Sequence, residues 1–370
     1  MLSPEYLESA PDRMIELWAQ AERDILSDMA RKISTYDYFS AASEWQAVKL
    51  KEMGLTYEEI LRRLSLILGK TREELIRLLN EAGIKTLQED DAAYKSAGKT
   101  PGPIKDNAAL VAIMAASLKK TENSFYNLCA TTAKNGAEQF IEELDRAYMQ
   151  VVTGGMDINT ATREAIKRLA DKGIRTIKYP SGHVDYMDVA VRRAVRTGVN
   201  QTALQLQLER IEEMGEDLVE TSAHSGARPS HAEWQGKVFS LSGKSDKYPN
   251  FYEATGYGTG AGLGGWNCRH SFYPFNGERT YTDEELAKLN AKKYEYRGKM
   301  LTEYEATQVQ RYNERQIRKY KREQAMLKAV GEPQNEARAK VKQWQARQTD
   351  FIDKTGLKRR LDAENIPKYK

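Results

Sequence analysis

The stretch from Glu220 to Phe275, ETSAHSGARPSHAEWQGKVFSLSGKSDKYPNFYEATGYGTGAGLGGWNCRHSFYPF, governs how the whole chain is read. It holds three of the four histidines (His224, His231, His270), one of the two cysteines (Cys268), two of the five tryptophans (Trp234, Trp266) and nine of the 25 glycines. Glycine reaches left-handed backbone conformations and lets main chains approach closely, so a segment this rich in it is built around unusual turns. Specific activity or docking chemistry is expected here. Leu218–Ala223 and Lys237–Leu241 have strand composition, which places His224, Arg228 and His231 at or within the loop between two short strands. Gly256, Gly258, Gly260, Gly262, Gly264 and Gly265 then punctuate a loop leading into Trp266–Pro274, a run that reads as a further strand.

Three kinds of chemistry compete for these residues. Gly260-x-Gly262-x-x-Gly265 has the spacing of a dinucleotide-binding turn, but that motif follows a strand and opens a helix, whereas here a strand-like run follows. No Lys-Ser or Lys-Thr pair completes a phosphate loop, and nucleotide binding is set aside. His224, His231, Cys268 and His270 have the ligand types of a zinc site, and on an extended strand Cys268 and His270 share a face. Their spacing is not that of a zinc finger, and the segment has neither a CxxC pair nor HExxH. The expectation is therefore no cofactor and a hydrogen-bonded structural core; zinc on those four residues, serving a metal-dependent hydrolase or nuclease, is the alternative. A histidine-assisted Cys268 thiolate would gain from Arg269 only if both pointed the same way, and adjacent strand residues point oppositely.

Helical signals fill most of the remaining chain. Ser3-Pro4 has N-cap and first-turn character, and Met14, Leu17, Trp18, Ala21, Ile25, Met29 and Ile33 recur at steps of three and four, predicting a long opening amphipathic helix. Thr56-x-x-Glu59 and Thr71-x-x-Glu74 read as capping boxes, each preceded by a glycine (Gly54, Gly69), and predict two short helices joined by a tight turn. Glu73, Glu74 and Glu81 beside Arg72 and Arg77 argue against this pair reading DNA. Residues 96–107, rich in Gly and Pro, read as a linker that closes a first helical module over 1–95. A second helical module over 108–169 holds an Ala-rich segment around Leu110–Leu118 and a helix through Phe140, Leu144, Tyr148 and Val151, with Cys129 as a small buried residue. A helix over 160–172 closed by Gly173, a strand over Ile174–Tyr179, a turn at Pro180–Gly182 and one or two helices over Val184–Met214, with Gly198 as a break, lead back to the glycine-rich stretch.

The 370 residues are 40% apolar, enough for a substantial core. No apolar run approaches the roughly 18 residues that span a bilayer, and the first residues lack the basic-then-apolar order of a secretory signal, so folding in the cytoplasm without a membrane partner is expected. Two cysteines in different contexts of so long a chain do not suggest a disulfide framework, and the sequon Asn200-Gln201-Thr202 is then chance. Residues 281–370 carry 22 Lys+Arg against 14 Asp+Glu, a net of +8, which leaves −4 for residues 1–280 within the formal total of +4. The run RYNERQIRKYKR interleaves Tyr312 and Tyr320 with Arg311, Arg315, Arg318, Lys319, Lys321 and Arg322, a pattern suited to phosphate or an acidic partner surface; the bland reading is a solvated helix face. Thr302-x-x-Glu305 caps this helix, which reads as too polar all round to bury itself on a single core.

His224-Ser-Gly-Ala-Arg228-Pro-Ser-His231-Ala-Glu-Trp234-Gln235-Gly236-Lys237-Val238, with Gly256-Tyr-Gly-Thr-Gly260 and Gly265-Trp266-Asn267-Cys268-Arg269-His270-Ser271, resembles the signature of the phage minor capsid protein 2 family, itself similar to the head-morphogenesis proteins of tailed phages. Tyr179-Pro-Ser-Gly182 and Asp188-Val-Ala-Val-Arg192-Arg193-Ala-Val-Arg196-Thr-Gly198 fit the same pattern, so the close resemblance covers residues 170–280. The resemblance implies a structural protein present in few copies per virion head, made in the host cytoplasm and located at the portal vertex or capsid interior. Its implied partners are the portal protein, the major capsid protein and, in some members, packaged double-stranded DNA. His224, Arg228, His231, Trp234, Gly236, Trp266, Asn267, Cys268, Arg269 and His270 carry over as a shared structural core with no catalytic role. The expected fold is α+β, predominantly helical, with a small strand-containing core near 170–280 and a long helical C-terminal extension over 281–370. The expected function is a non-enzymatic minor head component that assists head assembly, DNA packaging or DNA delivery.

Overall fold

The computed structural model describes residues 2–36, 38 and 41–366. In chain order the elements are α1 Pro4–Ser9, α2 Asp12–Thr35, α3 Ala42–Ser96, α4 Ala108–Val152, α5 Ile158–Lys172, β1 Arg175–Lys178, β2 Val184–Tyr186, α6 Met187–Glu213, β3 Leu218–Thr221, α7 Pro229–Ala232, β4 Val238–Ser240, α8 Phe251–Thr255, β5 Phe272–Pro274, α9 Asp283–Leu289, β6 Tyr294–Tyr296, β7 Lys299–Leu301, α10 Glu303–Ala329, α11 Asn335–Thr355 and α12 Leu361–Glu364. The fold is α+β and predominantly helical. The strands pair antiparallel as β1–β2, β4–β3–β5 and β6–β7. Among the described residues, no helix is long and apolar enough to cross a membrane.

The chain forms two compact units, each assembled from separated segments: Met1–Asp12, Arg72–Ser124 and Arg192–Gln308 make the first, and Arg13–Thr71, Phe125–Val191 and Val309–Lys370 the second. In the first, the three-stranded sheet packs its apolar face on α6. Val219, Phe239 and Phe272 from the strands meet Leu204 and Ile211 from the helix, and Trp234, Phe251 and Leu263 close the cluster. Leu87, Leu110 and Leu206 form a second cluster in the same unit. Gln207, fully buried on α6, donates through Nε2 to the Phe272 carbonyl at 2.6 Å and to Asp90 Oδ2 at 2.9 Å, tying sheet and helices together.

Burial pushes the Asp90 carboxyl up to about 6, with the Gln207 bond only partly opposing the shift. An acid whose folded pKa exceeds its unfolded value near 4 costs stability as pH rises through that interval, and the cost is complete above about 6. Asp90→Asn, which keeps an acceptor for Gln207, is expected to stabilise the protein by about 2–3 kcal/mol at pH 7 and to leave it unchanged below about pH 4. Urea unfolding of the first unit, followed by hydrogen exchange on its peptides at the two pH values, reads the difference.

Among the described residues, the second unit is helical apart from β1–β2. Trp18 packs against Phe125 with ring centroids 5.3 Å apart and donates from Nε1 to Thr71 Oγ1 at 3.1 Å. Trp45 stacks on Tyr148 at 4.1 Å and donates to Asp145 Oδ1 at 2.8 Å. Here the structure corrects the expected two-helix reading of residues 56–83. Thr56 and Thr71 are buried inside the continuous helix α3, not at its ends. A Cβ at Gly54 or Gly69 would meet nothing within 4 Å, so these glycines make no close approach. Isolated helical glycines cost about 1 kcal/mol each, and burial of Ile60, Leu64, Leu75, Leu78 and Leu79 along α3 outweighs that. The two helices expected within 108–152 are likewise one, α4, and Gly198 lies inside α6 without breaking it.

At the start, Ser3 caps a helix as expected, accepting from the Tyr6 amide at 3.2 Å, but that helix ends at Ser9. Pro11 lacks a donor and disfavours helix before it, so the predicted apolar stripe from Met14 to Ile33 belongs to the separate α2. Residues 281–370 also depart from a purely helical arm. They include α9 and the β6–β7 hairpin, whose turn places Arg297 (φ 50°) and Gly298 (φ 74°) in the left-handed region. The Thr302–Glu305 capping box forms, with Thr302 Oγ1 accepting from the Glu305 amide at 3.2 Å. Helix α10 nevertheless buries a face, through Ile317, Met326 and Leu327 and through paired polar residues. Asn313 donates to Gln348 of α11 at 3.0 Å, and Arg360 pairs with Glu314 at 2.8 Å.

Candidate functional site

Strand β3 is the centre of the site. Val219 opposes Phe239 on one side and Pro274 on the other, and Thr221 opposes Phe272 at the exit. Past that exit the Ser222 amide donates to the Ser271 carbonyl at 2.8 Å, so the chain stays paired while it turns into the His224 loop. Pro229 opens the short helix α7 with its ring at the first helical position, where no donor is lost, and α7 delivers His231 inward. The return is fixed by the Gly236 amide on the Thr221 carbonyl at 3.1 Å and by Thr221 Oγ1 on the Trp234 carbonyl at 2.8 Å.

The glycine loop follows α8, which Asn250 caps by accepting from the Glu253 amide at 3.1 Å. It folds back on itself: Leu263 donates to the Thr255 carbonyl at 3.0 Å and Trp266 to the Gly260 carbonyl at 2.8 Å. A Cβ at Gly262 would overlap the Gly256 carbonyl, and one at Gly265 would overlap the Gly260 carbonyl, so glycine is required at both by backbone passing backbone. From α6, Asn200 Nδ2 reaches the carbonyls of Cys268 and His270 at 3.2 and 3.1 Å, and Gln201 Nε2 reaches the Gly264 carbonyl at 3.1 Å. Residues 266–271, expected as strand, are an irregular turn with Asn267 at φ 57°, and β5 begins only at Phe272.

This frame brings three of the four expected ligand-type residues into one cluster. His231 Nδ1 and His270 Nδ1 lie 3.4 Å apart, and Cys268 Sγ lies 3.8 and 3.7 Å from them. The tautomers follow from the outer nitrogens. His231 Nε2 is 2.8 Å from the Ala261 carbonyl, which can only accept, so that nitrogen carries the proton. His270 Nε2 is 3.1 Å from Gln235 Oε1; this atom also accepts from the His224 amide at 3.1 Å, which identifies it as oxygen and makes His270 Nε2 a donor. Both Nδ1 lone pairs therefore face the thiol. Burial pushes both histidines below their ordinary value, His270 most strongly with His224 and His231 beside it, so the rings are neutral near pH 7. Burial also raises the Cys268 thiol, which opposes a free reactive thiolate.

The fourth residue, His224, stacks on His270 with centroids 4.2 Å apart and hydrogen-bonds through Nδ1 to the Ser225 carbonyl at 2.8 Å. Its Nε2 is buried without a hydrogen-bond partner among the described residues, and burial holds its pKa down at about 4. Trp234 closes the cluster, its ring 4.7 Å from both His231 and His270. Arg228 donates to the Trp266 carbonyl at 2.6 Å, while Arg269 reaches Glu8 and the Gly226 carbonyl, each at 3.5 Å. Gly236, at φ 66°, sits where a Cβ would overlap Leu286. Trp266 is 61% exposed, an outward aromatic between the buried Gly265 and the half-buried Asn267.

Gln235 and Asn200 escaped the sequence reading. Both are fully buried and bond the motif's backbone and rings, but Gln235 stands within the quoted motif with nothing to mark its role, and Asn200 is one amide inside α6. The basic run of α10 lies in the other unit and is largely engaged there. Arg322 donates to the Ala170 carbonyl at 3.0 Å, Arg318 pairs with Asp188 and Lys319 with Asp171 at 2.6 Å, and Lys321 donates to Asn365 at 2.7 Å. Arg315 lies over the Tyr312 ring at 6.0 Å, and Arg311 also has an interaction within the protein.

The family model described as Phage minor capsid protein 2 matches residues 2–353. A protein of Lactococcus phage LL-H named "Structural protein" is 25% identical over 266 residues, which cover 66% of this chain and 71% of that protein. No solved structure matches the chain.

Proposed function

The chain belongs to the phage minor capsid protein 2 family, and from that premise we propose that it is a minor structural component of a tailed-phage or prophage head. In this reading it sits at the portal vertex or on the capsid interior, with the portal protein or the major capsid protein as partner, and assists head assembly, DNA packaging or DNA delivery. The family match over residues 2–353 carries the proposal, and the relative named "Structural protein" supports it.

The site geometry is in keeping with a scaffold. Arg228, Asn200, Gln201, Gln235 and His231 bond main-chain atoms or one another, and the ligand-type atoms of His231, Cys268 and His270 face inward among buried groups. A hydrolase built on the same residues needs a substrate to reach them, and their burial weighs against that. Contact with packaged DNA through α10 draws little support from cations already bonded inside the protein. Lysine-directed cross-linking of assembled heads tests the proposal. Cross-links from this chain to the portal or the inner capsid surface are expected; recovery of the chain only outside particles overturns it.

A further inference from the structure

We propose that His231, Cys268 and His270 bind one zinc ion through Nδ1, Sγ and Nδ1. The inference rests on the cluster's geometry and does not depend on the place of the protein in a head. A tetrahedral zinc with Zn–N near 2.0–2.1 Å and Zn–S near 2.3 Å sets its ligand atoms about 3.4 Å apart for N···N and about 3.6 Å for N···S. The cluster shows 3.4 Å for the nitrogen pair and 3.7 and 3.8 Å for sulfur to nitrogen.

The outer shell fits as well. A ligating histidine ordinarily donates its other ring N–H to a fixed acceptor, which orients the ring and raises its basicity. His231 does so to the Ala261 carbonyl and His270 to Gln235 Oε1, and these bonds turn both Nδ1 lone pairs toward Sγ. Without an ion, two acceptor nitrogens and a sulfur share a single thiol proton in a place where each residue is at most 2% exposed. One Nδ1 is then left unpaired, a costly arrangement for a buried polar atom. Zinc satisfies all three atoms at once: Cys268 releases its proton to solvent and binds as thiolate, and both imidazoles bind neutral. The ion would staple α7 to the lead-in of β5.

The test uses the full-length chain loaded with Zn(II) and dialysed, then with Co(II) as a spectroscopic probe. About one zinc per chain is expected, and the cobalt form should show intense tetrahedral ligand-field bands with a thiolate-to-cobalt charge-transfer band. Cys129→Ser, which removes the other thiol, should keep the charge-transfer band. Cys268→Ser should lose it and weaken zinc binding by more than the about 10–100-fold that outer-shell changes cost. If Cys268→Ser fails to fold, the wild-type and Cys129→Ser spectra decide alone. No stoichiometric zinc and no charge-transfer band in the wild-type chain overturns the proposal, as does retained metal that Cys268→Ser leaves unchanged, which marks an adventitious ion.

Discussion

Gly262→Ala is expected to destabilise the unit that contains the sheet by about 4 kcal/mol, among the largest effects of a single methyl group. The added Cβ would overlap the Gly256 carbonyl, and the atoms in the way are backbone: neither rotamer change nor side-chain repacking can relieve the clash. Relief requires opening the loop, which breaks the Leu263 to Thr255 and Trp266 to Gly260 bonds and withdraws Leu263 from the apolar cluster. Because two compact units need not unfold together, a single global midpoint is a poor readout. Hydrogen exchange followed on peptides from 218–275 is the suitable measurement, and protection there should fall sharply. Gly54→Ala is the control: its Cβ meets nothing within 4 Å inside α3, so it should stabilise by up to about 1 kcal/mol. Unchanged protection in Gly262→Ala would mean that the glycine loop is not the rigid element described.

Arg210→Ala is expected to cost about 3–5 kcal/mol, the range for breaking a buried charge pair from one side. Arg210 is fully enclosed on α6. Its guanidinium pairs with Asp91 of α3 at 3.0 Å and Glu213 at 2.8 Å, and donates to the Gly102 carbonyl at 2.8 Å. Removal leaves partly buried carboxylates without their counter-charge and releases the segment between α3 and α4. Arg210→Met, which keeps most of the volume, should lose nearly as much, because pairing and not packing dominates the loss. If Arg210→Met matched the wild type in hydrogen exchange of peptides from the first unit, the ion cluster would be shown to contribute nothing net.

These two residues also show what the sequence discloses and what it hides. The density of glycines marks residues 256–265 as backbone packed on backbone, because no other residue type tolerates that approach, and the strands at 218–221 and 238–240 show in their composition. The His/Cys set is legible as ligand types but not as geometry. Strand alternation predicts that Cys268 and His270 share a face; they do meet, but through a turn held by Asn200 and by Asn267 in the left-handed region. Asn200 and Gln235 carry no local mark of burial, since amide side chains are ordinarily solvated. Helix α3 is misread for a related reason: capping-box spacing recurs by chance inside helices, and only tertiary burial of Thr56 and Thr71 decides that the helix runs through. The buried polar stripe of α10, with Gln310, Asn313 and Glu314, defeats hydrophobic periodicity in the same way, because its partners come from residues 348–360.

The proposed role of the rigid His, Gly and Trp frame is structural, in a viral head. An asymmetric electron cryo-microscopy reconstruction of mature particles, made without imposing shell symmetry, addresses it most directly. Density for the folded segment 218–275 at the portal vertex or against the inner shell, in a few copies per particle, is the predicted result. Mature, infectious particles that lack the chain altogether would contradict it.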